Sequence, residues 1–250
     1  MLGSGEKVIK ENTLSKDEEK YLACEKTIVY VLLMMVSGMM GAYTVCLRGG
    51  VFCNAQTANF VLMAVALGNM QWLKGFYYLI PMSAYLAGAI ISEILPKYVK
   101  KINLLRWDTY LIGFEMIVLF IIGFIPLSLP DQIAQVMINF ICSMQYNTFR
   151  QAQSTPMATT FCTNHLRQTG IWLVKYCKKR DIACLKRCRK HIKMLASFFI
   201  GGIVSTVGIR LLNEKAIWLA LIPLAINFIL LCYADLRSER DLLQEVPSGH

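Results

Sequence analysis

The feature that most constrains this chain is a run of about 18–25 apolar residues that recurs along it, each run closed by a polar or basic joint. An α-helix rises about 1.5 Å per residue, so about 20 such residues cross a hydrocarbon core of about 30 Å. The composition agrees. Of the residues, 56% are apolar and 17% charged, where a soluble domain carries about 45–50% and about 25%. A soluble enzyme, a secreted disulfide scaffold and a disordered tail are thereby excluded. The expected fold class is all-α: a polytopic α-helical membrane protein.

Eight segments can be read, at 27–47, 56–70, 76–95, 109–127, 132–147, 156–176, 194–212 and 216–234. Six read as spans, and 56–70 and 156–176 are the odd pair. The first of these is short and has a polar entrance, Asn54-Ala-Gln-Thr-Ala-Asn59. The second carries Thr159, Thr160, Thr163, Asn164, His165, Arg167, Gln168 and Thr169. Such side chains are costly against lipid, so this segment must face protein or water. A shift of 106 residues lays Thr57-Ala58-Asn59 on Thr163-Asn164-His165, and Gly41-Ala42-Tyr43 on Asn147-Thr148-Phe149. The order of segments matches as well. An internal repeat is expected, with membrane units at 27–127 and 128–234 and charged tails at 1–26 and 235–250.

The net charge of +10 gathers in the joints. Lys97, Lys100, Lys101 and Arg106 occupy one, and Lys175, Lys178, Lys179, Arg180, Lys186, Arg187, Arg189, Lys190 and Lys193 another. The positive-inside rule places both in the cytoplasm. Three crossings between them would separate them, whereas two crossings and a re-entrant 156–176 keep them together. By the same logic 56–70 re-enters from the other face. Six crossings follow, with both termini cytoplasmic and two halves of opposite orientation, the plan of many secondary transporters. The competing reading is eight crossings in a parallel repeat, which breaks the charge rule once. Nucleic acid is not an expected partner of charges so placed. The lipid bilayer is, with anionic headgroups against an amphipathic surface helix at 175–193. A homodimer is conceivable for so small a chain, although no interface can be read. The nine cysteines are odd in number and lie largely in or beside apolar runs. Free thiols are expected rather than a disulfide framework. The first 26 residues do not read as a cleaved signal peptide.

The stretches Ser37-Gly-Met-Met-Gly-Ala-Tyr-Thr44, Arg48-Gly-Gly-Val-Phe52 and Asn54-Ala-Gln-Thr-Ala-Asn59 resemble the YoaK family of small bacterial membrane proteins. So do Met144-Gln-Tyr-Asn147, Phe149-Arg150 and Ala158-Thr-Thr-Phe-Cys-Thr163 followed by Leu166-Arg167. The likeness runs from about residue 26 to about residue 236 and implies a cytoplasmic-membrane protein of about six spans. This chain departs from the pattern. Gly41 stands where the family has an Asp before Ala-Tyr, and its two Thr-Gly-Asn motifs appear as Thr57-Ala58-Asn59 and Thr163-Asn164-His165. The missing Asp removes a cation or proton ligand that the resemblance would otherwise imply.

The two polar motifs form the candidate substrate site: Gln56, Thr57 and Asn59 from one half, with Gln145, Asn147, Thr163, Asn164 and His165 from the other. Re-entrant backbone needs partners that only protein, water or substrate supply. The plainer reading is that these side chains tie helices together. Glu115 is the one carboxylate well inside a span and a candidate proton relay, or else a residue near the interface that faces water or pairs with a neighbour. Arg48 and Arg150 close two spans and could meet an anionic substrate or headgroups. Cys177, Cys184, Cys188 and His191 share one helical face, but a single helix spreads them over about 21 Å, too far for one zinc ion. No metal or cofactor is expected. No enzyme signature occurs, and three histidines leave little for acid–base catalysis. The expected function is a small-molecule or ion transporter, with a membrane sensor or partner subunit acting through 175–193 as the alternative.

Overall fold

The computed structural model of the protein describes residues 21–247; most of the tail expected at 1–26 lies outside the described residues. In chain order the helices are α1 Thr27–Leu47, α2 Gln56–Gly68, α3 Trp72–Tyr77, α4 Leu79–Ile94, α5 Pro96–Val99 and α6 Trp107–Ile122. They continue as α7 Asp131–Thr148, α8 Thr163–Lys179, α9 Ile182–Leu212 and α10 Leu221–Tyr233. A two-residue antiparallel pair, β1 Gln151–Ala152 and β2 Thr155–Pro156, separates α7 from α8.

The chain is a polytopic helical membrane protein. Among the described residues, three continuous helical stretches are long and apolar enough to cross a membrane: Thr27–Leu47, Trp72–Val99 and Ile182–Ser238. The last folds back on itself. Asn213 takes a left-handed φ of 48° and opens the 3₁₀ segment Asn213–Ala220, so α9 and α10 run in opposite directions. Large apolar side chains such as Leu73, Phe199 and Leu211 stand outward, as lipid-facing residues do. α7 is different. It buries Gln135, Asn139, Ser143 and Gln145 and forms a polar spine inside the bundle.

The strongest packings are α1 on α9 and α4 on α7; α1 also packs on α10, and α7 on α6. If α1, α4 and α6 correspond to α7, α9 and α10, these are the same pairings made twice, with each half lending its first helix to the other. Two crossings are closed by glycine. Gly201 lies against the backbone carbonyl of Met35, and Gly88 against that of Phe140; a Cβ at either would overlap the opposing main chain. Small residues of this kind let membrane helices approach at backbone distance.

α1 and α7 run antiparallel. At one end of α1, Tyr30 Oη donates to Gln151 O at 2.7 Å and Thr27 Oγ1 to Gln153 Oε1 at 2.7 Å. At the other, Gln135 Nε2 donates to Arg48 O at 2.7 Å. After α1 the chain turns through Gly49 and Gly50, whose φ angles of 68° and 73° suit glycine. It then descends until Asn54 Nδ2 donates to Ser37 O, half-way along α1. α2 climbs back, and Tyr77 Oη meets Gln135 Nε2 at the level where α1 ended. The second half does the same from the opposite end. Thr159 O accepts from Gln145 Nε2 at the Ser37 level, and α8 returns to the end where α1 begins.

The surface helix expected at 175–193 is two helices. Arg180 has a left-handed φ of 52°, and Asp181 caps α9 by accepting from Ala183 N at 2.9 Å. The result is a hairpin of α8 and the first turns of α9. Cys184, Cys188 and His191 are buried rather than facing lipid, Cys188 Sγ donating to Thr169 O on α8; Cys177 is exposed on α8.

Gly201→Ala is expected to destabilise the protein by at least about 1–3 kcal/mol through overpacking of the α1–α9 crossing. Gly170, with nothing within 4 Å of its would-be Cβ, is the control: Gly170→Ala is expected to be neutral or to gain up to about 1 kcal/mol. Thermal unfolding of the two variants in detergent measures the difference.

Candidate functional site

Ser37 is where the two halves meet. Its carbonyl accepts from Asn54 Nδ2 at 3.2 Å, and its hydroxyl accepts from Gln145 Nε2 at 3.0 Å. Gln145 in turn reaches Thr159 O at 3.3 Å. One residue of α1 thus ties the first re-entrant loop to the second. The Gln145 Oε1 acceptor beside it is buried without a partner.

The first-half motif is closed. Asn59 is fully buried and pinned to its own loop: Oδ1 accepts from Phe52 N at 3.0 Å, while Nδ2 donates to Phe52 O at 2.7 Å and Gln56 Oε1 at 3.0 Å. Gln56 Nε2 donates to Asn139 Oδ1 at 2.9 Å. Thr57 is exposed on the far side of α2 and takes no part. Arg48 is fully buried, which corrects its reading as a headgroup contact. Its guanidinium donates to Ile125 O at 2.6 Å, to Pro126 O at 3.5 Å and to Tyr43 Oη at 3.0 Å. A cation on the carbonyls that follow α6 is the arrangement the helix dipole favours.

The second-half motif is open. Tyr146, Asn147, Arg150, Pro156, Met157, Ala158, Phe161 and Asn164 line a cleft of about 540 Å³. Volumes of this order hold small-molecule ligands. Arg150 pairs with Glu93 at 2.7 Å and donates to Asn147 Oδ1 at 2.8 Å, so a cation and a carboxamide stand together at the edge. Asn147 Nδ2 is shared between Ser92 Oγ at 2.9 Å and Glu93 Oε2 at 3.2 Å on α4. Tyr146 and Phe161 add an aromatic wall, with ring centroids 4.7 Å apart. Thr163 is exposed outside the cleft. His165 points away from it, with Nδ1 2.9 Å from His191 Nδ1.

Of the eight residues expected to bind substrate, Asn147 and Asn164 line the cleft and Gln145 carries the unpartnered acceptor. Gln56 and Asn59 fasten the closed half. Glu115 sits half-way along α6, fully buried, with neither carboxylate oxygen partnered; it does not face water. Sequence reasoning missed Ser37, Gln135 and Asn139. Four polar residues at 135, 139, 143 and 145 of an otherwise apolar run were the available signal.

The model of a protein family described as "Protein of unknown function (DUF1275)" matches residues 29–230. The chain belongs to the DUF1275 family. The match covers both halves and stops short of the charged tails. YoaK-like proteins fall within the DUF1275 family, so the resemblance in the two motifs points to the right family. No curated protein and no solved structure matches the chain.

Asn59 and Asn164 make separable predictions. Asn59→Leu leaves the Phe52 N–H and C=O buried and unpaired, at a cost of about 1–3 kcal/mol for each group. A loss of thermal stability is the expected outcome, larger than that of Asn164→Leu at the cleft wall.

Proposed function

We propose that this DUF1275 protein is a small secondary transporter of the cytoplasmic membrane, and that the cleft at Asn147, Arg150 and Asn164 is its solute site facing the cytoplasm. One observation carries the reading. Two re-entrant segments arrive from opposite ends of the bundle and meet at Ser37, yet one motif is sealed while the other opens on a cleft. Two related half-sites, one shut and one open, are what alternating access requires of an inverted repeat.

Lengths support the placement. From the Ser37 level, half of a core of about 30 Å is about 15 Å, or about ten residues of helix. Counting from Thr163, the start of α8, that reaches the core edge just before Lys175, the first of the dense basic cluster. α2, with 13 residues, spans about 20 Å, enough to cover the same half-thickness of about 15 Å. The chain then crosses six times with both ends in the cytoplasm, and the basic hairpin lies among anionic headgroups. The lining of two carboxamides, an arginine and two aromatic rings suits a small polar solute, neutral or anionic.

Access is testable without knowing the solute. A cysteine at the half-buried Gln56, in a background lacking Cys46, Cys162, Cys177 and Cys232, the cysteines that are not buried, reacts faster with an impermeant maleimide from the outer face when the first half opens. Filling the cleft with Asn164→Trp keeps the second half from closing. The expected outcome is a fall of at least about fivefold in labelling at 56, as the outward-open population drops. Equal labelling with and without the tryptophan contradicts the transport reading.

A further inference from the structure

We propose that His165 and His191 form a one-proton binding site that couples movement of the cleft to the proton; this rests on the transport reading above. Both rings are buried, at 0% and 1% exposure, between α8 and α9. Their Nδ1 atoms lie 2.9 Å apart, and His165 Nε2 is 2.6 Å from Ala158 O. His191 Nε2 is buried with no partner.

These contacts fix the tautomers. A carbonyl only accepts, so His165 Nε2 carries a hydrogen and donates it to Ala158 O. A neutral His165 therefore has a bare Nδ1, which accepts. His191 Nδ1 must be the donor, which leaves His191 Nε2 as the bare nitrogen. One vacancy remains in the pair, and a proton added there gives an imidazolium whose Nδ1–H donates to His165 more strongly than before. A second proton would set two N–H groups against each other and open the pair. The site thus holds one proton.

Burial, the neighbouring His165 ring and the Lys190 charge all work against that proton, so the pair takes it up only on acidification. α8 contributes His165 itself and the Thr169 carbonyl, which accepts from Cys188 Sγ. The loop before α8 contributes the Ala158 carbonyl. α9 contributes Lys190, whose Nζ is turned to Gln153 Oε1 at 2.7 Å, with Arg187 and Lys186 near Lys190. Coupling to the cleft is direct. Ala158 and Asn164 line it, and His165 follows Asn164 in the chain and bonds Ala158. Any closure that draws residues 158–164 inward pulls His165 from His191, breaking the Nδ1–H···Nδ1 bond that stabilises the protonated ring.

The three histidines make the site readable in the full chain. With ¹⁵N-labelled histidine in lipid nanodiscs, and with His250→Gln so that only the pair reports, near-neutral spectra are expected to show one ring as the Nε2–H tautomer and one as the Nδ1–H tautomer. Acidification is expected to add one proton, at His191 Nε2, with its Nδ1–H retained. His191→Asn keeps a donor for His165 Nδ1 but has no proton site, so that uptake is expected to vanish while His165 keeps Nε2–H. His191→Gln serves if the first variant does not fold. Two rings of one tautomer, two independent titrations, or an unchanged uptake in the variant would each overturn the site. Coupling is read from labelling of a cysteine at Asn164 in vesicles under an imposed pH gradient, taken relative to the exposed Cys177 so that the pH dependence of the thiolate itself cancels. The rate is expected to change at least about twofold with His191 present and to stay constant in the His191→Asn variant. A rate indifferent to the gradient with both histidines present overturns coupling, whereas failure of the Asn164→Trp experiment overturns transport and leaves the tautomers to stand.

Discussion

Backbone amides at membrane depth must find partners inside the protein, and the architecture follows from that constraint. Two stretches, 48–55 and 149–162, leave helical geometry in the interior. Each is held by a few side chains aimed at main-chain groups: Asn59 on Phe52, Asn54 on Ser37, Gln145 on Thr159 and His165 on Ala158. Water in the bilayer core could not replace them. These carboxamides and the imidazole stand where they do for this reason, and α7 accordingly keeps its polar face inward. The glycine-closed crossings hold α1 on α9 and α4 on α7, and Gln145 of α7 reaches across to Ser37 of α1.

The halves solve one problem in two ways. In the first, Arg48 sits against the carbonyls that follow α6, and Gln56 reaches Asn139, with only Gln135 Oε1 beside them left without a partner. In the second, Arg150 stays at the surface with Glu93, and the cleft beside Asn147 is open. A buried arginine surrounded by carbonyls is costly to expose, whereas a rim ion pair in water is cheap to rearrange. That difference leaves the second half as the one with a cleft open at the surface.

Much of this was legible in the sequence. Apolar runs separated by basic joints led to a helical membrane fold with two odd segments, and the repeat of polar motifs pointed to where they would meet. Contacts between side chains and distant main chain were not legible. Nothing in Arg48-Gly-Gly distinguishes a headgroup contact from a cap on α6, because the deciding carbonyls lie at Ile125 and Pro126. The basic stretch at 175–193 reads as one amphipathic helix because its periodicity hardly falters at Arg180-Asp181, and only the left-handed residue reveals the hairpin. The spacing of His191 groups it with the cysteines on its own helix face, whereas its partner is 26 residues away in the chain.

The central claim is that the two re-entrant loops open toward opposite faces of the membrane. Side-specific thiol labelling tests it most directly. Gln71 and Ser154 are exposed positions beside the first and second loop. Cysteines placed there singly, without Cys46 and Cys177, are expected to react with an impermeant reagent from opposite faces, position 154 from the cytoplasmic side. Labelling of both from the same face would contradict the antiparallel arrangement of the halves.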